Sequence, residues 1–405
     1  MMEVAKIKEI AASLAGEQAE VRRYLHARPE TAWNEIETSR FIEEKLRALG
    51  LENVRRGFGG TGSGVTGDLV GDASGPCVAL RADIDALPLA EQNDVAYRSQ
   101  NDGAMHACGH DGHMSVLLGT AKLLSMLKKK LPGRVRFIFQ PAEECGVDSG
   151  AAKMIADGVL DGVDAIGGMH LWSFLPTGRV HWKNGPVMAS SDRWEVTFAG
   201  RGGHGAMPHG AIDPTVAAAN FIGAVQTIVS REIDPTDTAV VSLGKFTSGD
   251  AFNIIPDNAY LLGTTRTFNP EVRGKMKERI SRIADGIADA YRCTAETKFT
   301  YMLPSVVNHP GVTAILLEAA MEVVGPENIE ESPLLMVSED YSYYLEKVSG
   351  TFFFVGCGSK EKGTDFPHHS PCFDVDDDVL PIATTLFSAF AFRILDKLKA
   401  GEIAK

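Results

Sequence analysis

Cysteine is scarce in this chain, with six residues among 405, at positions 77, 108, 145, 293, 357 and 372, and no paired spacing. That excludes a disulfide framework and fits a reducing compartment, where most of these thiols are expected to be buried filler. Internal repeats and low-complexity tracts are missing, which excludes a solenoid or a disordered linker protein. Basic charge is in the minority, with Lys+Arg 40 against Asp+Glu 53, and runs such as Lys128-Lys129-Lys130 are short. No phosphate-binding stripe results, so nucleic acid is not an expected partner. The segment from Met1 to Glu20 has neither a basic stretch leading into an apolar core nor a run long enough to span a bilayer. A cytoplasmic chain with no membrane partner is therefore expected.

What is present is ordinary globular material, 44% hydrophobic and 23% charged, in a length that exceeds one comfortable core. Two domains are expected. Periodicity predicts amphipathic helices over 4–25 and 38–49, strands over 77–83 and 134–139, and a helix over 114–127 between those strands. Helices alternating with short apolar strands indicate an α/β layered core, with polar residues placed just past the strand ends, where open α/β sheets carry their sites. From Ser191 the rhythm changes to strand 194–199, helix 213–231, strands 238–246 and 259–268, helix 271–290 and strand 294–301. This βαββαβ order is the split unit of a ferredoxin-like α+β domain and reads as an insertion over 191–301. After it, helix 311–324, strand 351–355 and a long apolar helix 380–398 complete the first domain.

The chain is also sparing with histidine, holding eleven, yet three fall in Met105-His106-Ala107-Cys108-Gly109-His110-Asp111-Gly112-His113 beside a thiol and a carboxylate. Such crowding is hard to reconcile with core packing and points to a metal. Cys108 and His110, two apart across a glycine, can face one point, and thiolate with imidazole suits zinc and its neighbours. Asp111 and His113 read better as groups that hold imidazole tautomers than as ligands. Adjacent Glu143 and Glu144 follow a strand and a proline, so one can bind metal while the other acts as a general base; alone, the pair reads as a solvated turn. His170 closes an apolar strand and alone is as often a core residue as a ligand. His369 sits in the loop Pro367-His368-His369-Ser370-Pro371, where a histidine has little packing role.

The order Arg81-Ala82-Asp83-Ile84-Asp85-Ala86-Leu87-Pro88, Met105 to Asp111, Gln140-Pro141-Ala142-Glu143-Glu144, Gly203-His204-Gly205-Ala206-Met207-Pro208-His209, Asn253-Ile254-Ile255-Pro256 and His369-Ser370-Pro371 resembles the M20 metallopeptidase family. Within it the chain is most similar to the branch of aminoacylases, hippurate hydrolases and auxin-conjugate amidohydrolases. The early Arg23, His26, Pro29 and Glu30 pattern belongs to the same resemblance, which spans nearly the whole chain.

That resemblance implies a discontinuous catalytic, metal-binding domain over 1–190 and 302–405, with 191–301 as a lid and dimerisation domain. It implies two divalent metal ions per chain, with Zn, Mn, Co and Ni all open. Cys108 would bridge them, Glu144 and His369 would complete one, and His110 and His170 the other. Glu143 would be the general base, and Asp83 a supporting acid, two residues beyond Arg81, which replaces a metal-binding histidine of other branches. His204 would stabilise the developing oxyanion across a dimer contact, and Asn253 and Arg266 would grip an α-carboxylate. The implied activity is metal-dependent hydrolysis of small N-acyl amino acids to a carboxylic acid and a free amino acid, by a homodimer or homotetramer. A dipeptidase or carboxypeptidase of the same family is the second reading. Two more distant ones are a hydrolase with Cys108 as nucleophile and a catalytically silent binding protein.

Overall fold

The structure, a computed structural model, describes residues 2–403. It divides into two compact units, one made of Met1–Val187, Val307–Pro333 and Asp340–Lys405, the other of Met188–Val306 and Leu334–Glu339. The second unit is thus wider than 191–301 at both ends. It also takes in a distant segment, because Ala189 N–H donates to Leu335 O at 2.9 Å and to Val337 O at 3.0 Å.

The first unit is a mixed sheet covered by helices. Helix α1, Val4–His26, buries Ile7, Ile10, Ala11, Leu14, Gln18, Arg22 and Leu25 along one face, the spacing of an amphipathic helix. Helix α2, Ile36–Ala48, follows. Strands β1 (Glu52–Arg56), β2 (Val65–Val70), β3 (Cys77–Asp83), β4 (Arg134–Gln140) and β5 (Ala165–Pro176) then supply most of an eight-stranded sheet. Its order is β1, β2, β4, β3, β5, then Gly350–Gly358, Val180–Trp182 and Ile329–Glu331. The central pairs of β3 with β4 and β5, and of β5 with Gly350–Gly358, are parallel, so the ends of β3 and β4 open on the same edge. Every residue of β3 is buried, as a strand covered on both faces requires. Helix Val379–Lys399 has the length and apolarity of a membrane span by composition, but it is largely buried within the protein core.

Two elements differ from the sequence expectation in ways that matter for the site. Helix α3 runs His110–Met126 rather than starting at 114, because Gly109 takes a left-handed conformation (φ 84°) and turns the chain directly into it. The metal-type run therefore forms the first turn of a helix, with Asp111 at its positive end. Strand β5 continues to Pro176, so His170 lies within a strand rather than closing one.

The second unit is a four-stranded antiparallel sheet in the order Ala239–Ser248, Asn258–Thr267, Ser191–Ala199, Thr294–Leu303. Helices Pro214–Val225 and Pro270–Ala290 make up the βαββαβ pattern, each opened by proline and a side-chain cap, Asp213 to Thr215 N and Asn269 to Glu271 N. The first helix ends at Val225 rather than 231, giving way to an irregular turn at Ile228–Glu232. Trp194, Val196, Phe198, Phe221, Met276 and Ile280 are among the buried side chains between sheet and helices.

Candidate metal centre

Four segments of the first unit bring ligand-type atoms together. Cys108, His110 and His170 form one set whose candidate ligand atoms lie within 4.8 Å of one another, and Cys108, Glu144 and His369 form a second with the same spread. The two sets share Cys108. Cys108 Sγ lies 3.5 Å from His170 Nε2, and His369 Nε2 lies 3.2 Å from Glu144 Oε1. Glu143, His110 and Glu144 make a third such group, so the adjacent glutamates both reach the cluster.

Two of the imidazoles, His110 and His170, are turned by their other nitrogen. His110 Nδ1 donates to Asp85 O at 2.8 Å, which leaves Nε2 buried with no hydrogen-bond partner and aimed at the cluster. His170 Nδ1 donates to Leu171 O at 2.6 Å, freeing Nε2 towards Cys108. These are the tautomers that metal ligation needs. His113 differs: its Nδ1 donates to Asp83 Oδ1 at 2.6 Å, and its Nε2 accepts Leu171 N–H at 2.9 Å, so its lone pair is already used. His106, from the same run, is buried with neither nitrogen hydrogen-bonded, and burial pushes it down to about 3, so it is a neutral core residue.

The electrostatics favour a cation. Burial opposes charge on His110, yet Asp83 and Asp85 outweigh it and raise this imidazole to about 10. Burial, helped by Glu144, Glu143 and Asp83, pushes the Cys108 thiol up, so its thiolate requires positive charge beside it. A mixed sulfur, nitrogen and oxygen donor set with an orphaned imidazole nitrogen fits zinc or a neighbouring divalent ion.

Around these atoms lies a set of buried charges that motif reading only partly reached. Asp83 accepts from Arg81 Nη1 at 2.7 Å as well as from His113. Burial would raise its carboxyl, but His110, His113 and Arg81 hold it well below the usual range. Arg81 also donates to Asp340 Oδ1 at 2.8 Å and to Gln140 Oε1 at 2.9 Å, and Gln140 Nε2 donates to Asp340 Oδ2 at 2.7 Å. A buried arginine on β3 demands carboxylate partners, but no local pattern marks Asp340 as one of them.

Left-handed backbone accompanies the remaining candidate ligands. Ala142 sits at φ 52° just before Glu143, its N–H donating to Glu35 Oε1 at 2.8 Å, while Glu144 N–H donates to Asp85 Oδ2 at 3.0 Å. Burial, with Asp85 adding to it, raises Glu35 to about 7. His369 sits at φ 64°, with its N–H donating to Ala107 O at 2.8 Å, which pins this loop to the residue before Cys108. Behind α3, Asp111 Oδ2 accepts from Arg22 Nη1 at 3.2 Å and His26 Nδ1 at 2.8 Å. Burial disfavours the His26 charge, but Asp111 and Glu91 raise it to about 9.

The other three expected residues belong to the second unit. His204 is exposed on a two-stranded pairing with Ile254, its Nδ1 accepting Ala206 N–H at 3.1 Å. Asn253 is joined to that turn, since its carbonyl accepts Gly205 N–H at 2.8 Å. Arg266 is half-buried on strand Asn258–Thr267, with Nη1 donating to Thr265 O at 2.9 Å and to Thr264 Oγ1. Burial lowers its pKa, only partly offset by Asp192. Among the described residues no carboxylate pairs with it, since the Asp192 carboxylate is taken by Arg273.

The profile of peptidase family M20/M25/M40 matches residues 79–393 of this chain. The chain is similar to thermostable carboxypeptidase 2 of Saccharolobus solfataricus, 39% identical over 97% of this chain and 99% of the relative. It is also similar to N-acetylcysteine deacetylase of Bacillus subtilis, 41% identical over 94% and 97%. Among solved structures, the Bacillus subtilis YXEP protein, described as a dinuclear metal binding peptidase from the M20 family, matches with a TM-score of 0.84. That likeness is 37% identical and covers 95% of this chain and 99% of that one. The profile match, the relatives and the solved structure, matched along almost the whole chain and joined by two candidate ligand sets that meet at Cys108, lead to one conclusion: the protein belongs to peptidase family M20/M25/M40 and is a metal-dependent amidohydrolase.

Proposed function

We propose that the enzyme hydrolyses N-acyl amino acids to a carboxylic acid and a free amino acid, using two divalent ions, with Cys108 as the shared ligand. Glu144 and His369 complete one position, His110 and His170 the other. The observation that carries this reading is the overlap of two donor triads at one sulfur. Bound there, the ions supply Lewis acidity to the amide carbonyl and lower the pKa of a water molecule.

The chain's own groups do the rest. Glu143, buried beside Glu144, takes a proton from the attacking water as its oxygen bonds to the carbonyl carbon. The same carboxyl then returns that proton to the amine nitrogen as the C–N bond breaks, so no covalent enzyme intermediate is needed. Asp83 keeps His113 oriented, and His113 fixes the Leu171 backbone next to His170. His204 donates to the developing oxyanion from a partner chain, the inserted domain acting as lid and dimerisation surface. Arg266 and Asn253 receive the substrate's α-carboxylate; a half-buried guanidinium with no carboxylate of its own suits that role.

This substrate assignment is tested by comparing an N-acyl amino acid with its matching amide on metal-loaded enzyme. The free acid should be cleaved at least about tenfold faster by kcat/KM, since a charged hydrogen bond contributes roughly 1.5 to 3 kcal/mol, and Arg266→Ala should narrow the gap. Equal rates in the parent enzyme would move the substrate class to general amides.

A further inference from the structure

Three successive peptide groups around Glu143 are each held. Ala142 N–H donates to Glu35 Oε1 at 2.8 Å, Ala142 O accepts Gly150 N–H at 3.1 Å, and Glu144 N–H donates to Asp85 Oδ2 at 3.0 Å. The first two peptides enclose Ala142 and the last two enclose Glu143, so these bonds set the direction in which the Glu143 side chain leaves the backbone. Ala142 needs them, because φ 52° is uncommon for a residue with a Cβ and persists where the surroundings hold it. Gly150 can come this close because it has no Cβ, which would meet Pro141 O at 1.8 Å.

The two carboxylates in this set differ in what they hold. Asp85 takes the N–H of the candidate ligand Glu144 and, through its carbonyl, turns His110. Glu35 hydrogen-bonds to no candidate ligand. It is fully buried just before α2, 107 residues away from Ala142 in sequence, and the segment that presents it is itself docked on both loops of the site. Ala86 N–H donates to Glu30 O at 2.8 Å, beside Asp85, and Glu30 Oε2 accepts Thr38 N–H at 2.8 Å at the start of α2. Trp33 Nε1 donates to Asp148 O at 2.9 Å, while Lys153 Nζ pairs with Asp148 at 2.8 Å and lies 4.1 Å from the centre of the Trp33 ring. The Glu35 carboxyl is therefore delivered to Ala142 from a fixed base.

We infer that Glu35 is a positioning residue for Glu143, its acceptor oxygen fixing the backbone from which the general base projects. This rests on the general-base reading above. The bond acts on the aim of Glu143 and leaves the metal-donor atoms alone, so its loss belongs in kcat, with KM and metal content kept. Misplacing a reacting group by about 1 Å can cost roughly 100-fold in rate.

Glu35→Met fills the same space without an acceptor, whereas Glu35→Gln keeps one; Glu35 Oε2 is buried with no hydrogen-bond partner, so the amide nitrogen displaces no bond. On metal-loaded enzyme with one N-acyl amino acid, Glu35→Met should lower kcat by about 30- to 100-fold at unchanged KM and metal content, and Glu35→Gln should stay within about threefold of the parent. In chelator-stripped protein, amide hydrogen exchange over 141–149 should quicken in Glu35→Met and not in Glu35→Gln. Glu35→Asp, which draws the carboxyl back by one methylene, should reproduce the loss and carries the test if the apolar variant does not fold. Added to Glu143→Gln, either damaging change should lower kcat little further, since it acts through Glu143. Parent-like kcat in Glu35→Met or Glu35→Asp, an equal loss in Glu35→Gln, metal lost along with kcat, or a full additional loss in the double variant overturns the positioning role. A Glu143→Gln enzyme that turns over like the parent overturns the general-base reading instead, and the exchange data still decide whether Glu35 holds the loop.

Discussion

Asp83→Asn isolates the charge that supports the site without removing any candidate ligand. Asp83 is fully buried and takes two donors, Arg81 Nη1 at 2.7 Å and His113 Nδ1 at 2.6 Å. Asparagine has the same shape but one acceptor oxygen, and its NH2 group faces a donor wherever it is turned. Arg81 keeps its bond to Asp340, so the loss is one arm of a buried network rather than a stranded charge. Breaking a buried pair typically costs about 3 to 5 kcal/mol, and the retained partner places this case near the lower end, at about 3. Because His113 also orients the Leu171 backbone, metal affinity should fall by roughly 10- to 100-fold, the usual effect of losing an outer partner. Urea unfolding of chelator-stripped protein reads the first effect and metal titration the second. A stripped variant within about 0.5 kcal/mol of the parent, binding metal equally well, would refute the role given to this carboxylate.

Two further expectations address different links. His26 is raised from 6.5 to about 9 by Asp111 and Glu91, against burial and Arg22, so its contribution is full below the unfolded value and is lost as pH rises through about 9. The stability gap between parent and His26→Gln in urea should therefore reach about 3 kcal/mol at about pH 6 and shrink by about pH 10; a gap that widens with pH would contradict the pairing. Mixing His204→Ala chains with Glu143→Gln chains should regenerate activity in hybrid dimers if His204 acts on the partner's site. No recovery in demonstrated hybrids would remove it from that role.

The layered α/β core, the inserted βαββαβ unit and the ligand-type residues were legible because each is written locally. Hydrophobic period marks the elements, and thiol and imidazole crowding marks the Cys108 run. What local pattern could not supply is partnership across the chain. Asp340 lies 259 residues beyond Arg81, and nothing in Ser338-Glu339-Asp340 announces a buried acid. The helix starts at His110 rather than 114 because the polar run 110–113 carries no apolar period, while the left-handed φ of Gly109 turns the chain into the helix. Glu35 and Asp85, which hold the backbone of Ala142 and Glu144, also act through hydrogen bonds that no spacing encodes. Leu334–Glu339 joined the second unit through backbone pairing with Ala189, which leaves no apolar signature.

The central claim is that Glu143 moves the proton while its neighbours hold the metals, and Glu143→Gln tests it most directly, by elemental analysis and turnover on the same preparation. The amide keeps the shape of the side chain but cannot accept a proton from water, so the variant should retain the parent's metal content, about two ions per chain, and lose roughly 10²- to 10⁴-fold in kcat. A variant that keeps its metal and turns over within about tenfold of the parent would contradict the assignment.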